Sequence, residues 1–574
     1  MLHSAGTPET KAREGKPTSI MTLPRAIRGP RALALLFLLS LALYLPGIHA
    51  LPVTDRDEAR FAQATRQMID SGDFVQLRFQ DQPRDKKPAG IHWLQAAAVK
   101  AFAGGDTGAI WAYRLVSVFG ATGAVLLLFA LARPVAGAEV AFLAALALAS
   151  CLLLAVEAHI AKTDAVLLAV VVAAQGALLR LYAAARAAQA TAPWLATLFW
   201  GALGTGILIK GPVAPVIAGL TIATLLVADR GTGSNRRLRA ALRPLWGCLL
   251  AVAIAAPWFV LSSLGDGNFI AAAFTGDLLP KLVGAHESHG GPPGMYLALV
   301  VITFFPASIL LAPALAWAWV NREAAAVRFA LAWAVPAWLM FEAVPTKLAH
   351  YVLPLYPALA LLIGLAATAE SFADRLRRWG ARTWIILSAV VGIALAAALP
   401  TLLSCLSLRL PAGTWTAAVA LAVAALAGGV WAWRRRPAGA LGLAALAVVP
   451  FVGATLALTL PALPLWPTRT AGDLVARYRA TPGPPVAVAG YAEPSIVFAL
   501  GTETVLTGGA GAARHLASRP GAVALIESAE TAKFTAALAS LGIAAERLGT
   551  ASGFNTARGR LTRLTLYRAK PEGR

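Results

Sequence analysis

The stretch RALALLFLLSLALYLPGIHALPVTDRDEARFAQATRQMIDSGDF (31–74) changes character halfway along. Residues 31–50 are apolar and long enough to cross a hydrocarbon core about 30 Å thick. From Thr54 onward the pattern turns amphipathic, with Phe61, Ala64, Met68 and Ile69 on one stripe of a helix. Such a helix is expected to lie along the membrane surface. A span followed by a surface helix, with Asp55, Asp57 and Glu58 at the junction, predicts a bilayer protein with acids at the lip of the membrane.

The rest of the chain extends this reading. It has 574 residues, 58% hydrophobic and 14% charged, well below the roughly one quarter charged of soluble domains. Apolar stretches recur near 32–50, 110–131, 138–157, 164–184, 194–209, 212–228, 244–264, 294–318, 329–344, 351–368, 383–403, 414–433 and 440–461. An odd number of spans puts the termini on opposite sides. Lys11, Arg13, Lys16, Arg133, Arg186, Arg230, Arg236, Arg328, Arg378 and Arg434–Arg436 all fall on the side of the N-terminus, which the positive-inside rule makes cytoplasmic. No small-residue cleavage pattern interrupts residues 31–50, so they read as an uncleaved first span.

The fold class expected is therefore an all-α polytopic membrane protein of about thirteen transmembrane helices. Residues 1–31 form a basic cytoplasmic tail, and 32–465 the transmembrane domain with its long outer loop 51–109. Residues 466–574 change composition: PVAVAG (485–490) and AVALIES (522–528) are strand-like and TAKFTAALASLG (531–542) is helical, giving a small extracytoplasmic α/β domain. The formal charge of +22 is scattered between spans rather than gathered on one surface, which argues against a nucleic-acid partner. Cys151, Cys248 and Cys405 lie in or beside apolar segments, a pattern of packing rather than of disulfides or zinc.

Charged residues in the outer segments carry the functional signal. Asp57 and Glu58 precede the amphipathic helix, with Arg60 one turn on, and helix capping is their structural alternative. Lys86 and Lys87 stand before a proline in KKPAGIHWLQ, beside His92, and suit a phosphate or lipid head groups. Asp164 ends EAHIAKTD (157–164), where an ionisable group at a span is costly and purposeful. Lys210 of IKGPVAP must reach water or an anion, by snorkelling or as a phosphate clamp. The loop 265–293 offers Lys281, His286, Glu287 and His289. The H-E-S-H run invites a divalent metal but matches no strong ligand spacing. PTKLAHYVLPLYPALALLIG (345–364) adds Lys347, His350 and Tyr351 at the head of a proline-kinked helix. No P-loop, Rossmann fingerprint or nucleophile elbow occurs.

In their order, DEARFAQATRQMIDSGDFV, KKPAGIHWLQAAA, AKTD, KGP and KLAHYVLPLYPALALLIG resemble the lipid-linked sugar transferases of the GT-C superfamily, in particular glycosyltransferase family 39 and its aminoarabinose transferase branch acting on lipid A. The tail segments GYAEPSIVFALGT (490–502) and GFNTARGR (553–560) resemble that same branch. The resemblance implies a GT-C fold and an acid at the first position of the DE-x-R-[YF] motif, here Asp57. It implies a lysine near the carrier phosphate at Lys87, with Lys86 where relatives carry Glu, and a basic residue at Lys281. Asp57, Glu58 and Asp164 are then the catalytic candidates; Lys86, Lys87, Arg60, Lys210 and Lys281 the donor-phosphate candidates; His92, Lys347, His350, Tyr351, Glu287 and His289 the substrate candidates.

The function so implied is transfer of a sugar, such as 4-amino-4-deoxy-L-arabinose, a uronic acid or a hexose, from a polyprenyl-phosphate carrier. The acceptor is lipid A or another envelope molecule at the periplasmic face of a bacterial inner membrane, with no certain cofactor. Transfer to Ser/Thr in the manner of protein O-mannosyltransferases is one alternative. A lipid-linked substrate transporter is the other, and it fits less well because the unusual charges sit at span ends and not at the midplane.

Overall fold

The computed structural model describes residues 29–84, 86–264, 269, 271, 275, 290–479 and 483–570. Most of the basic tail lies outside these residues, as do Lys281, His286, Glu287 and His289 of the third outer loop. Helix α1 (Pro30–Tyr44) is followed by two helices of the first outer loop, α2 (Asp57–Ser71) and α3 (Gly90–Phe102). A two-residue hairpin joins them, with β1 (Arg78–Phe79) antiparallel to β2 (Gln82–Pro83). Then come α4 (Ile110–Ala136), α5 (Ala138–Ala149), α6 (Leu152–Ala158), α7 (Asp164–Arg186), α8 (Trp194–Lys210) and α9 (Val213–Ala228). After the surface helix α10 (Ser234–Leu242) the membrane helices continue as α11 (Pro244–Leu264), α12 (Met295–Thr303), α13 (Leu311–Val320), α14 (Ala325–Ala343) and α15 (Tyr356–Ala367). A short α16 (Glu370–Arg375) precedes α17 (Trp379–Cys405), α18 (Gly413–Trp433) and α19 (Pro437–Gly453).

Each of the thirteen apolar stretches read from the sequence is helical, but not every one is a straight span. Among the described residues eight helices are long and apolar enough to cross a membrane, ten if each of two bent pairs is one span. The shorter α1, α8 and α9 make up the remainder. The bends correct the expectation of continuous helices over 138–157 and 294–318. Helices α5 and α6 meet at 62°, and α12 and the segment Ala307–Val320 at 117°. The two breaks face each other. The Leu152 amide donates to the Phe305 carbonyl at 3.1 Å, and the Cys151 thiol donates to the Thr303 carbonyl at 3.1 Å. Backbone groups freed by one break are thus satisfied by the other, the condition for irregular chain at membrane depth.

Burial sorts the helices. The apolar windows of α4 and α7 are 72% and 78% buried, whereas that of α17 is 28% buried, with Trp379 almost fully exposed. Helices α4 and α7 form the centre, and α11 and α17 present their leucines and valines outward to lipid.

The C-terminal unit begins with α20 (Pro467–Tyr478) and builds a five-stranded sheet in the order β4-β3-β5-β7-β6. Its strands are β3 (Ala487–Ala489), β4 (Val505–Thr507), β5 (Val523–Glu527), β6 (Ala545–Asn555) and β7 (Arg560–Ala569). Strand β3 is parallel to both β4 and β5, and β7 is antiparallel to both β5 and β6. Helices α21 (Pro494–Leu500), α22 (Gly509–Ser518) and α23 (Thr531–Ser540) connect the first strands. Alternation along β5 explains the two cores. Val523 and Leu525 face α20 and α21, while Ala524 and Ile526 face α22 and α23.

Candidate active site

Helix α2 does not rest its apolar stripe on a membrane surface. Phe61, Ala64 and Met68 are buried, but so are Glu58, Gln63 and Thr65, because α3 covers one side and the C-terminal unit another. The Gln80 amide donates to the carbonyls of Thr502 at 3.0 Å and Thr504 at 2.7 Å, Gln63 donates to the Thr502 hydroxyl at 2.8 Å, and Arg56 donates to the Ala557 carbonyl at 2.6 Å.

At the start of this helix the two neighbouring acids part company. Glu58 is fully buried and paired with Arg114 of α4, with Oε1 2.8 Å from Nε and Oε2 2.9 Å from Nη2. The same carboxylate accepts from the Thr54 amide and hydroxyl and from the Ala161 amide, at 2.8, 2.9 and 2.9 Å. Arg114 spends its other donors on the carbonyls of Ile48, Leu51 and Pro52. Burial alone would raise the Glu58 pKa, but the Arg114 charge and these donors outweigh it and hold the carboxyl below its usual range. With every lone pair engaged inside the protein, Glu58 is a brace between the first loop, α4 and the 159–163 turn. That corrects its reading as a catalytic candidate. Asp57, one residue earlier, is exposed, makes no hydrogen bond among the described residues, and does not cap its helix.

Asp57 lies within electrostatic reach of Lys162. Lys162 is buried in the 159–163 turn, 2.9 Å from Glu157 of α6 and 3.7 Å from Asp164 of α7. Burial would lower the Lys162 pKa, but Glu157 and Asp164 overcome it and the ammonium is held well above its ordinary value. Asp164 is also buried, caps nothing, and binds Lys210 at 2.5 Å. The His350 ring closes the group, with Nδ1 3.7 Å from Glu157 and Nε2 3.8 Å from Asp164. Tyr351 stacks edge-on against His350 and receives the Lys210 ammonium over its ring at 5.7 Å. Four separate segments thus deliver alternating acids and lysines to one face of the helical bundle, with Asp57 at the open edge.

The KKP segment approaches the same place. Gly90 packs so tightly on the end of α8 that a Cβ there would sit 2.7 Å from the Leu208 carbonyl oxygen, two residues before Lys210. Lys86 is exposed and Lys87 half-buried on this approach. Arg60 is half-buried on α2.

Two other candidates have structural duties. His92 is fully buried between α2 and α3, its Nδ1 2.7 Å from the Thr65 hydroxyl, so it packs the loop and does not face a substrate. Burial, reinforced by the Arg84 charge, pushes its pKa down to about 3. Lys347 is buried with its ammonium given to the Val344 carbonyl at 2.6 Å, which ties the 345–348 turn to α14 and withdraws the charge from a ligand. Among the described residues no group of His, Cys, Asp and Glu is arranged to hold a metal ion. Arg114 and Glu157 were not singled out by sequence reading. An arginine inside IWAYRLVSVFG and the acid of EAHIAKTD both carry the signal of an ionisable group in an apolar setting.

Residues 86–260 match the family model described as dolichyl-phosphate-mannose-protein mannosyltransferase. The chain is 30% identical over 374 residues to undecaprenyl phosphate-alpha-4-amino-4-deoxy-L-arabinose arabinosyl transferase 1 of Sodalis glossinidius, across 63% of this chain and 64% of that one. It is 27% identical over 370 residues to the corresponding transferase of Pectobacterium carotovorum, across 61% and 63%. These matches span somewhat less than two thirds of the relatives' length. The crystal structure of ArnT from Cupriavidus metallidurans bound to undecaprenyl phosphate superposes with a TM-score of 0.71 at 21% identity, covering 95% of this chain and 100% of that one. The chain shares the fold of that structure, the GT-C fold. The GT-C fold extends through both the helical bundle and the C-terminal unit, and the chain is a multi-pass membrane protein.

Proposed function

We propose that this GT-C protein is a glycosyltransferase that moves 4-amino-4-deoxy-L-arabinose, or a sugar like it, from undecaprenyl phosphate to lipid A. The reaction takes place at the periplasmic face of a bacterial inner membrane. The observation that carries the proposal is the convergence of Asp57, Lys162, Asp164, Lys210 and Tyr351 at one end of the bundle, joined by the KKP segment. The names of the curated relatives supply the substrate class. A donor with its tail in lipid and its phosphate in water matches a site at span ends.

In this reading Lys87 and Lys210 take the donor phosphate, Lys210 being shared between it and Asp164. The bond from the anomeric carbon to the phosphate oxygen breaks, and undecaprenyl phosphate leaves with the electron pair. Fixed cations lower the energy of the charge that builds on the leaving group. A new bond forms from the anomeric carbon to an acceptor oxygen. A phosphate acceptor is already largely ionised at neutral pH, its second pKa being about 6, and needs no base. Asp57 then orients the sugar and stabilises the positive charge developing at its anomeric carbon. For a hydroxyl acceptor the same carboxylate takes the proton.

The test is lipid A mass spectrometry from cells with and without the gene, and from cells carrying Asp57→Asn. The aminoarabinose mass is expected with the wild type only. Wild-type modification by Asp57→Asn would remove that residue from the mechanism, and an unchanged lipid A profile without the gene would redirect the assignment to another envelope acceptor.

A further inference from the structure

A cavity of about 420 Å³ lies beneath the C-terminal unit. Its walls are residues 49–53 just beyond α1, 465–469 just beyond the last membrane helix, and Ser495, Phe498 and Ala499 of α21. It therefore opens at the lip of the bilayer. None of Asp57, Lys162, Asp164, Lys210 and Tyr351 lines it, so it is separate from the acid and lysine group.

Its lining combines apolar residues and the hydroxyls of Thr468, Ser495 and Thr556 with a biased set of charges. Arg66, Arg469 and His49 stand against one acid among the described residues, Asp55. Asp55 is already engaged, accepting from the Ser495 amide at 3.3 Å and the Tyr491 hydroxyl at 3.4 Å. Arg66 lines the cavity while donating to the Phe498 carbonyl at 3.0 Å and standing 3.8 Å from Asp70, so Arg469 is the cation with the fewer partners. Arg469 is exposed and makes no hydrogen bond or ion pair among the described residues. Trp466 lines the cavity and Trp111 stacks on its lining residue His49 at 4.6 Å, a placement that suits interfacial aromatics. A space with apolar walls, planar cations and an entrance at the bilayer lip suits the anionic head of an amphiphile.

The cavity and the proposed reaction centre share one short piece of chain. Asp55 and Asp57 are two residues apart, so their Cα atoms lie within about 7 Å of each other. A head group carrying two phosphates can straddle the 53–57 loop, with one phosphate on the lysine side of the acid and lysine group and the other in the cavity. We infer that this cavity, through Arg469 and Arg66, holds the non-reacting phosphate of a bisphosphorylated glycolipid acceptor. The inference rests on the glycosyl-transfer reading for the identity of the occupant.

The experiment compares a bisphosphorylated disaccharide glycolipid, its monophosphorylated form and its dephosphorylated form. Each is offered to the full chain in nanodiscs, with retention read by native mass spectrometry and transfer read in parallel. The wild type is expected to retain the bisphosphorylated lipid about tenfold better than the monophosphorylated one, a difference of about 1.4 kcal/mol. Arg469→Gln should erase that preference and raise the acceptor KM with the donor KM unmoved. Ala499→Trp, which fills the space and leaves every charge in place, should do the same. Equal retention of the two phosphorylated lipids by the wild type overturns the inference, as does a variant that shifts the donor KM instead. Displacement by millimolar inorganic phosphate would make a free anion the ligand and overturn the glycolipid assignment. Discrimination that Arg469→Gln abolishes, in a chain that transfers no sugar, supports the cavity while overturning the transfer reading.

Discussion

Glu58 and Arg114 are fully buried, and each is the main charge partner of the other. Removing one member of such a pair strands the other charge and typically costs about 3–5 kcal/mol, far more than the pair is worth against an apolar replacement. Glu58→Leu and Arg114→Leu are each expected to lower the melting temperature sharply. The double variant should recover much of the loss, as a thermal-shift cycle in detergent would show; additive losses would mean that the two side chains act independently. The pair also sets an acid limit. The folded pKa of Glu58 is depressed, so its stabilisation is present above the unfolded carboxylate pKa and lost only as pH falls through the lower folded value. His92 behaves differently. With a folded pKa of about 3 against an ordinary 6.5, the unfolded chain binds an extra proton between those values. Stability should therefore decrease as the solution is acidified through that window, by up to about 1.4 kcal/mol per pH unit. His92→Gln is expected to flatten the pH dependence of melting between pH 6 and 4, and an unaltered slope would contradict the neutral, buried assignment.

At the scale of elements, the apolar stretches were readable because composition over about 20 residues decides membrane partition without tertiary information. The breaks at Ser150–Cys151 and Phe304–Pro306 were not, because apolar residues run through both and the hydrogen bonds that satisfy the bends form only between segments far apart in sequence. Asp164 and Lys210 stood out as charges in apolar surroundings and Asp57 as an acid at the lip of the first span, but their grouping depends on which helix ends meet. The amphipathic stripe of α2 was visible, whereas its second buried face depends on partners more than 400 positions away in sequence. Strands β6 and β7 escaped reading for a related reason. Gly549 and Gly553 interrupt the strand pattern of β6 where α20 crosses it, and a Cβ would meet Leu474 at 2.7 Å or Pro467 at 2.8 Å. The docking itself is testable. Gln80→Ala removes two hydrogen bonds to the 502–504 segment, a loss of about 1–3 kcal/mol. Hydrogen exchange should quicken in both α2 and the 490–507 segment, and quickening in α2 alone would show that the C-terminal unit is held by other contacts.

Across the whole molecule the ion pairs sort by face. Asp57, Lys162, Asp164, Lys210 and His350 gather at one end of the bundle. At the other end the buried Asp229 pairs with Arg328, which also reaches Glu323, and Arg186 donates to the Glu323 carbonyl at 2.9 Å. Asp164 and Arg186 are the two ends of α7, so the groups are separated by a helix of 23 residues, about 34 Å at 1.5 Å per residue. The chain alternates between these faces, and the cytoplasmic assignment of the Arg186 end rests on the excess of arginines there. Single cysteines introduced at Thr556 and at Arg230, in a chain whose Cys151, Cys248 and Cys405 are serine, separate the two orientations. A membrane-impermeant maleimide applied to cells with a permeable outer membrane should label position 556 at once and position 230 only after the inner membrane is opened. The reverse order would put the acid and lysine group in the cytoplasm, out of reach of a periplasmic acceptor.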